Sequence, residues 1–302
     1  MPSFTKVLLT GADGQLANAI KRTAPESCEI IALGRNDLDI CDGANVSKVL
    51  LAHHPDCVIN GAAYNLVDKA EIDGAADAFA INAIGVAHLT RHCKMQDIPL
   101  VHFSTDFVFD GHKKSPYTET DCTGPLSVYG ASKLAGENIT LSSSDMNYVV
   151  RVSRLFGPIK IKENSAGQKP TGNFPLTMLK LAASHSQIRV VNDQIGTPSY
   201  TPDLAKVLWQ LLEKGAGGLF HLSNSGEVAF DEYARTIFEI AKVDCEVIGI
   251  SSAEYNAPAK RPLYSTLSQQ KLHQTGIQPL RPWRDALEEY LKNIPTKMAG
   301  HA

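Results

Sequence analysis

The sequence predicts an α/β fold: a doubly wound, mostly parallel sheet followed by a smaller C-terminal region. Two observations carry this reading. Short apolar runs alternate with longer amphipathic segments through the first half of the chain. Those runs are uninterrupted Val, Ile and Leu rather than apolar and polar in turn, the pattern of strands buried on both faces. Size agrees, because 302 residues at 43% hydrophobic and 20% charged can bury a core for one large domain or two modest ones.

The elements follow in order. KVLLT is the first strand and Gln15 to Thr23 the first helix; CEIIAL is followed by a helix over Asn45 to His53, and DCVIN by one over Ala75 to Cys93. PLVHFS is the fourth strand, Tyr129 to Leu141 the next helix, and NYVVRVS the fifth strand. Around Pro158 the alternation breaks into IKIKENSAGQKPTGN, a Lys, Gly and Pro-rich loop that reads as the exit from the sheet domain. The expected division is therefore residues 1–157 and 158–302, with segments of the second returning to the first. Beyond the loop, Phe174 to Ser186 reads as a helix and QIRVV as a strand. Thr201-Pro202-Asp203 reads as a helix start with a capping Thr and Pro at the first helical position. GGLFHLS is a strand, Phe230 to Ala241 a helix and Pro282 to Asn293 a closing helix.

A formal net charge of -3, from 29 basic and 32 acidic residues well mixed along the chain, leaves no electrostatic footprint for nucleic acid or an anionic membrane. Small-molecule partners are expected. No window approaches the apolar length of a membrane span, and the N-terminus runs straight into a strand, against a signal peptide. The six cysteines lie far apart with no C-x-x-C pair, which suits a reducing cytoplasm and suggests neither zinc nor a disulfide framework. His53-His54 comes nearest to a metal motif, but neighbours on a helix point apart; no metal site is assigned from these residues.

The turn in KVLLTGADGQLANAI sets Gly11 and Gly14 three apart, with Ala17 three further on. Small residues there let backbone approach a pyrophosphate, whose charge then meets the unpaired N-H groups of a helix N-terminus, as in a Rossmann dinucleotide site. The second strand ends at Arg35, where an NAD site usually offers Asp or Glu to the ribose. An arginine suits a 2′-phosphate, favouring NADP(H) over NAD(H). A plain βα turn and a solvated loop charge are the alternative readings.

Tyr129 and Lys133 stand four apart, on one face of a helix. A ketone reductase needs a proton donor, and bringing a tyrosine from pKa about 10 to about 7 takes roughly 4 kcal/mol. One cation about 4 Å away at an effective dielectric of ~20 supplies a comparable amount, so Lys133 is expected to be that cation. Ser104, Thr105 and Asp106 end the fourth strand, at the edge where α/β sheets bind ligands. Thr105 is read as a hydrogen-bond partner of the substrate carbonyl, or else as satisfying a turn; Asp106 is equally a structural cap.

Thr105, Tyr129 and Lys133 in this order, with the glycine turn, resemble the extended short-chain dehydrogenase/reductase family. The closer likeness is to dTDP-4-dehydrorhamnose reductases. It is carried by LLTGADGQLAN, LDI, VINGAAYNLVDKAE, the NAIG stretch, STDFVFDG and PYTETD, then by PLSVYGASKLAGE, RVVNDQIGTPSYTPDLA and AKRPLYSTL. The resemblance implies that Gly11, Asp13, Gly14, Gln15 and Leu16 hold the pyrophosphate. It sets Arg35, Asp39 and Ile40 around the adenosine and Ala62, Ala63 and Tyr64 along the cofactor. Thr105, Tyr129 and Lys133 would do the chemistry, with Lys133 also on the nicotinamide ribose. Asn65 and Val67 would lie near the sugar and Arg261 would face the nucleotide in a C-terminal substrate domain. The implied reaction is hydride transfer from NADPH to C4 of a dTDP-4-dehydro-6-deoxyhexose, giving dTDP-L-rhamnose; some members are linked to magnesium and a dimer through acidic residues, a set that does not map onto this chain residue by residue.

Two departures stand out. Ala17 replaces the usual third Gly, and Arg154 stands where many members carry a Trp beside the sugar, to contact a diphosphate or a different sugar or to cover the pocket rim. The related sugar-nucleotide dehydratases follow Thr-Asp with a Glu base, here Phe107. A non-catalytic alternative is an NADP(H)-binding regulatory subunit resembling the β subunit of methionine adenosyltransferase.

Overall fold

The computed structural model describes residues 4–159 and 172–294. Most of the loop expected at 159–173 lies outside the described residues. In chain order the first half contains β1 (Lys6–Thr10), α1 (Gln15–Thr23), β2 (Glu29–Leu33), α2 (Gly43–His53), β3 (Cys57–Asn60), α3 (Val67–Ile72), α4 (Ala75–Phe79), a π-helical turn (Ala80–Ile84) and α5 (Gly85–Met95). It continues with β4 (Leu100–Thr105), α6 (Val128–Ser143), β5 (Tyr148–Val152) and β6 (Leu155–Phe156). The second half contains α7 (Phe174–Ala182), β7 (Gln187–Val191), β8 (Ile195–Gly196), β9 (Ser199–Tyr200), α8 (Thr201–Lys214), β10 (Gly218–His221) and β11 (Val228–Ala229). It closes with α9 (Phe230–Ala241), β12 (Glu246–Ile250), α10 (Ser252–Tyr255), α11 (Gln270–Gln274) and α12 (Trp283–Lys292).

Six strands form one sheet in the order β10-β5-β4-β3-β1-β2, every pairing parallel. Strand geometry sends alternate side chains to opposite faces, and both faces are apolar. Val7 and Leu9 of β1 join Val101, Val150 and the α1 and α8 residues Ile20, Leu204 and Leu208 in one core. Leu8 points the other way, to Val58, Leu100 and the helix residues Val46, Leu50, Val86 and Leu89. A separate core of Phe156, Leu179, Tyr200, Tyr233, Ile237 and Leu287 binds α7, α9 and α12 together. The chain leaves β1 for the edge strand β2 and returns to β3 on β1's other side. The reversal opens a crevice past the carboxyl ends of β1 and β3, where such sheets bind ligands.

Three local readings are corrected. The helix expected over Ala75 to Cys93 is interrupted by the π turn, within which Asn82 and Ala83 are buried. The helix expected to reach Ser186 stops at Ala182. Thr201 is not a cap: α8 begins on it, with extended Tyr200 as the N-cap residue. Pro202 then falls at the second helical position, tolerated because first-turn N-H groups have no intrahelical acceptor anyway.

Candidate active site

The loop after β1 is shaped by Gly11. Its φ is +64°, and a Cβ there would stand 2.6 Å from the backbone of Gly61 and Ala62. Only glycine allows the turns after β1 and β3 to approach this closely. Gly14 is the N-cap residue of α1 and provides no side-chain cap, so the first-turn N-H groups are left without a side-chain acceptor beside the crevice that Gly14 and Gln15 line. A cleft of about 300 Å³ lies beside it, lined by Gly11, Asp13, Gly14, Arg35, Asp39, Ile40, Ala62, Ala63, Asn65 and Ile81. Arg35 is 76% exposed and pairs with Asp39 at 3.6 Å.

The second cleft, about 500 Å³, shares Gly14, Gly61, Ala62, Ala63 and Asn65 with the first, so the two run into one another. Gln15, Leu16, Val67, Thr105, Tyr129, Lys133 and Arg154 line it. α6 carries the tyrosine and lysine, and Ser127 caps that helix by accepting from Gly130 N. Glu71 of α3 accepts from Val128 N at 2.6 Å, fastening the same helix end from outside.

Polar groups close around the end of β4. Thr105 Oγ1 donates to Asp106 Oδ1 at 3.1 Å and accepts from Phe107 N at 3.2 Å, so the turn-capping reading holds while the hydroxyl also faces the cleft. Asp106 Oδ2 accepts from Ser153 Oγ at 3.0 Å and Ser265 Oγ at 2.6 Å. Burial raises the Asp106 carboxyl above its ordinary value, opposed by Ser265, by the Arg154 charge and by the Ser153 and Thr105 hydroxyls.

Lys133 is 3% exposed. Its Nζ donates to Phe103 O at 2.5 Å, and burial pulls it down to about 8 against the opposing charge of Glu137. Glu137 is itself fixed by Arg151 in a buried two-point ion pair, at 2.8 and 2.7 Å. Tyr129 departs from expectation. Burial pushes its hydroxyl up to about 12, with Thr105 in hydrogen-bonding contact opposing the rise and Asp106 reinforcing it.

Arg154 sits at φ +43°, in the left-handed region that non-glycine residues seldom adopt. Its guanidinium donates to Val228 O at 2.8 Å and Gln194 O at 2.9 Å and lies 3.9 Å from the Phe230 ring centroid. Burial lowers it to about 10, so it remains a cation near neutrality.

The geometry admits comparison with known proteins. Residues 5–295 match the RmlD substrate binding domain. The chain belongs to that family. A dTDP-4-dehydrorhamnose reductase of Mycobacterium tuberculosis is 39% identical over 289 residues, spanning 93% of this chain and 91% of that protein. A spore coat polysaccharide biosynthesis protein of Bacillus subtilis is 36% identical over 290 residues, 96% of this chain and 98% of its own. The crystal structure of a dTDP-4-dehydrorhamnose reductase from Bacillus anthracis in complex with NADP is similar with a TM-score of 0.89 at 32% identity, covering 97% of this chain and 100% of that one.

Two residues named from the sequence lie off the cleft lining of this RmlD family member. Tyr64 is 7% exposed and packs with Ala70 and Ala78 behind the wall, its backbone gripped by Asn82 through Tyr64 N to Oδ1 at 2.9 Å and Nδ2 to Tyr64 O at 3.1 Å. Arg261 is tied to Asp68 Oδ2 at 2.8 Å and to Ala259 O. Sequence reasoning missed Phe230, Ile81, Phe103 and Gly172 as lining residues. Isolated apolar residues and a loop glycine carry no motif. Among the described residues no cluster of three or more His, Cys, Asp or Glu is placed to hold a metal ion, and no helix is long and apolar enough to cross a membrane.

Proposed function

We propose that this protein is an NADPH-dependent 4-ketoreductase of dTDP-4-dehydro-6-deoxyhexoses, converting dTDP-4-dehydro-L-rhamnose to dTDP-L-rhamnose. The observation that carries the reading is the meeting of Thr105, Tyr129 and Lys133 in one cleft continuous with the glycine cradle. The names borne by relatives at 36–39% identity over nearly the whole chain support it.

The residues present fit a dinucleotide: a glycine turn packed so closely against the Gly61–Ala62 backbone that residue 11 admits no Cβ leads into a helix N-terminus with no side-chain cap. Gly11, Asp13, Gly14, Gln15 and Leu16 would hold its diphosphate, Arg35, Asp39 and Ile40 its adenosine half, and Ala62 and Ala63 its middle. Exposed Arg35 is the group that prefers the 2′-phosphate. The chemistry that bound NADPH supplies is hydride transfer to the C4 carbonyl carbon.

The chain's own residues manage the oxygen. Tyr129, with its pKa raised by burial, holds its proton near neutral pH and delivers it to O4 as negative charge develops there. Thr105 has a single proton, directed at Asp106; turning it to O4 gives the second hydrogen bond. Asp106 keeps two other hydroxyl donors and so stays satisfied when Thr105 turns. Lys133 lends positive charge to the closed site, its own ionisation supported by Glu137.

The sheet region of residues 1–157 carries the cofactor and residues 158–302 mainly the substrate wall, with α8 and β10 returning to the sheet. Asn65, Val67 and Arg154 contact the sugar nucleotide. Arg261, off the lining, acts through Asp68 beside Val67. All six cysteines are free, which suits a cytoplasmic setting. A homodimer is the expected assembly, and Ile72, Ile84 and Met95 are among the exposed apolar side chains it could draw on. The test is NADPH consumption with dTDP-4-dehydro-L-rhamnose. Binding of NADPH without turnover on any 4-keto sugar nucleotide would replace the reading with that of a regulatory subunit.

A further inference from the structure

One buried side chain joins the cofactor helix to the C-terminal layer. Asn173, 7% exposed, caps α7 by accepting from Leu176 N on Oδ1 at 3.2 Å. That bond decides which end of the amide is oxygen. Nδ2 consequently faces three acceptors: Gln15 Oε1 at 2.9 Å, Gly157 O at 2.9 Å and Tyr290 Oη at 3.0 Å. These partners come from α1, from the turn after β6 and from α12.

Two consequences follow from counting protons. Asn173 offers only donors to Gln15, so Gln15 must show it oxygen and turn its own amide N-H groups away. Gln15 is the first residue of α1, next to Gly14, and lines the cleft. Second, Gly157 O and Tyr290 Oη also accept from Nδ2, which anchors the donor that the Gln15 carbonyl oxygen meets.

We infer that Asn173 is a positioning residue: it fixes the Gln15 amide with its N-H groups presented to phosphate oxygens at the α1 N-terminus. This rests on the proposed dinucleotide reading and deepens it. A residue of the C-terminal layer thereby sets how well the N-terminal region binds cofactor.

The experiment is a double-mutant cycle read as NADPH dissociation constants, by fluorescence, with melting temperature recorded for each variant. Asn173→Ser keeps a neutral cap on Leu176 N but withdraws the donor from Gln15. It is expected to weaken NADPH about tenfold, the scale of one hydrogen bond to a charged acceptor, and by less than about twofold in a Gln15→Ala background. Asn173→Asp also retains the cap, and being acceptor-only it draws the Gln15 N-H groups to itself; its loss should exceed that of the serine variant. If either variant folds poorly, the other supplies the cycle. Equal losses with and without Gln15, or no loss in a variant that melts normally, would overturn the inference. Failure of the unaltered protein to bind NADPH would instead overturn the proposed function on which it rests.

Discussion

Lys133→Met separates what the lysine costs the fold from what it gives the site. The side chain is almost wholly enclosed, and burial holds its ammonium at about 8 rather than the ordinary 10.5. At 1.36 kcal/mol per pH unit this gap is worth about 3 kcal/mol. The folded-state value is depressed, so below about pH 8 both states are protonated and the whole penalty is present. Between about pH 8 and 10.5 the unfolded chain holds more protons, and stability rises with pH. Methionine fills similar space, does not titrate, and gives up the bond to Phe103 O, at a cost of roughly 1.5–3 kcal/mol. Near pH 7 the variant should equal the native protein or exceed it by up to about 1.5 kcal/mol. Its standing should then fall by about 3 kcal/mol toward pH 10.5. Urea unfolding of both proteins at about pH 7, 8.5 and 10 measures the difference and cancels the other titrating groups. A difference that stays flat across that range would refute the reasoning.

Other expectations concern the cofactor end. Arg35→Ala should weaken NADPH about tenfold, the scale of a lost charge-assisted contact, while leaving NADH affinity within about twofold; parallel titrations of the two cofactors check it. Gly11→Ala forces a Cβ into the Gly61–Ala62 backbone at a positive φ, so thermal melting should show a loss of more than about 2 kcal/mol and NADPH binding should be abolished. Glu71→Gln, which keeps an acceptor for Val128 N but removes a charge from the α6 N-terminus, should cost less than about 1 kcal/mol, with activity nearly intact. Glu71→Ala should lower turnover more than cofactor affinity, which steady-state kinetics with a cofactor titration resolves.

The strands β1, β3, β4 and β5 were legible because strands buried on both faces are apolar at most successive positions, with only His102 in the middle of β4 and Arg151 near the end of β5 interrupting the runs. The glycine turn and the Tyr129–Lys133 pair were legible because their spacing alone places them together. β6, β8, β9 and β11 were not, since two residues have no periodicity. α3 escaped because of its six residues only Ala70 is buried, so no apolar stripe marks it. The π turn inside the expected helix leaves composition unchanged. Tuning of the site was least legible: Asp106 meets Ser265 across 159 positions and Asn173 meets Gln15 across 158. Which carbonyl the Lys133 ammonium selects depends on packing rather than helical spacing. Arg154 could be seen as unusual, but its seat against Phe230 required the fold.

The reductase reading turns on the acid. Native protein and Tyr129→Phe should be compared for NADPH consumption with dTDP-4-dehydro-L-rhamnose, alongside NADPH affinity for each. The expected result is turnover by the native protein, a fall of about a hundredfold or more in the variant, and cofactor affinities within a fewfold of each other. Undiminished turnover in the phenylalanine variant would contradict the assignment of Tyr129 as proton donor.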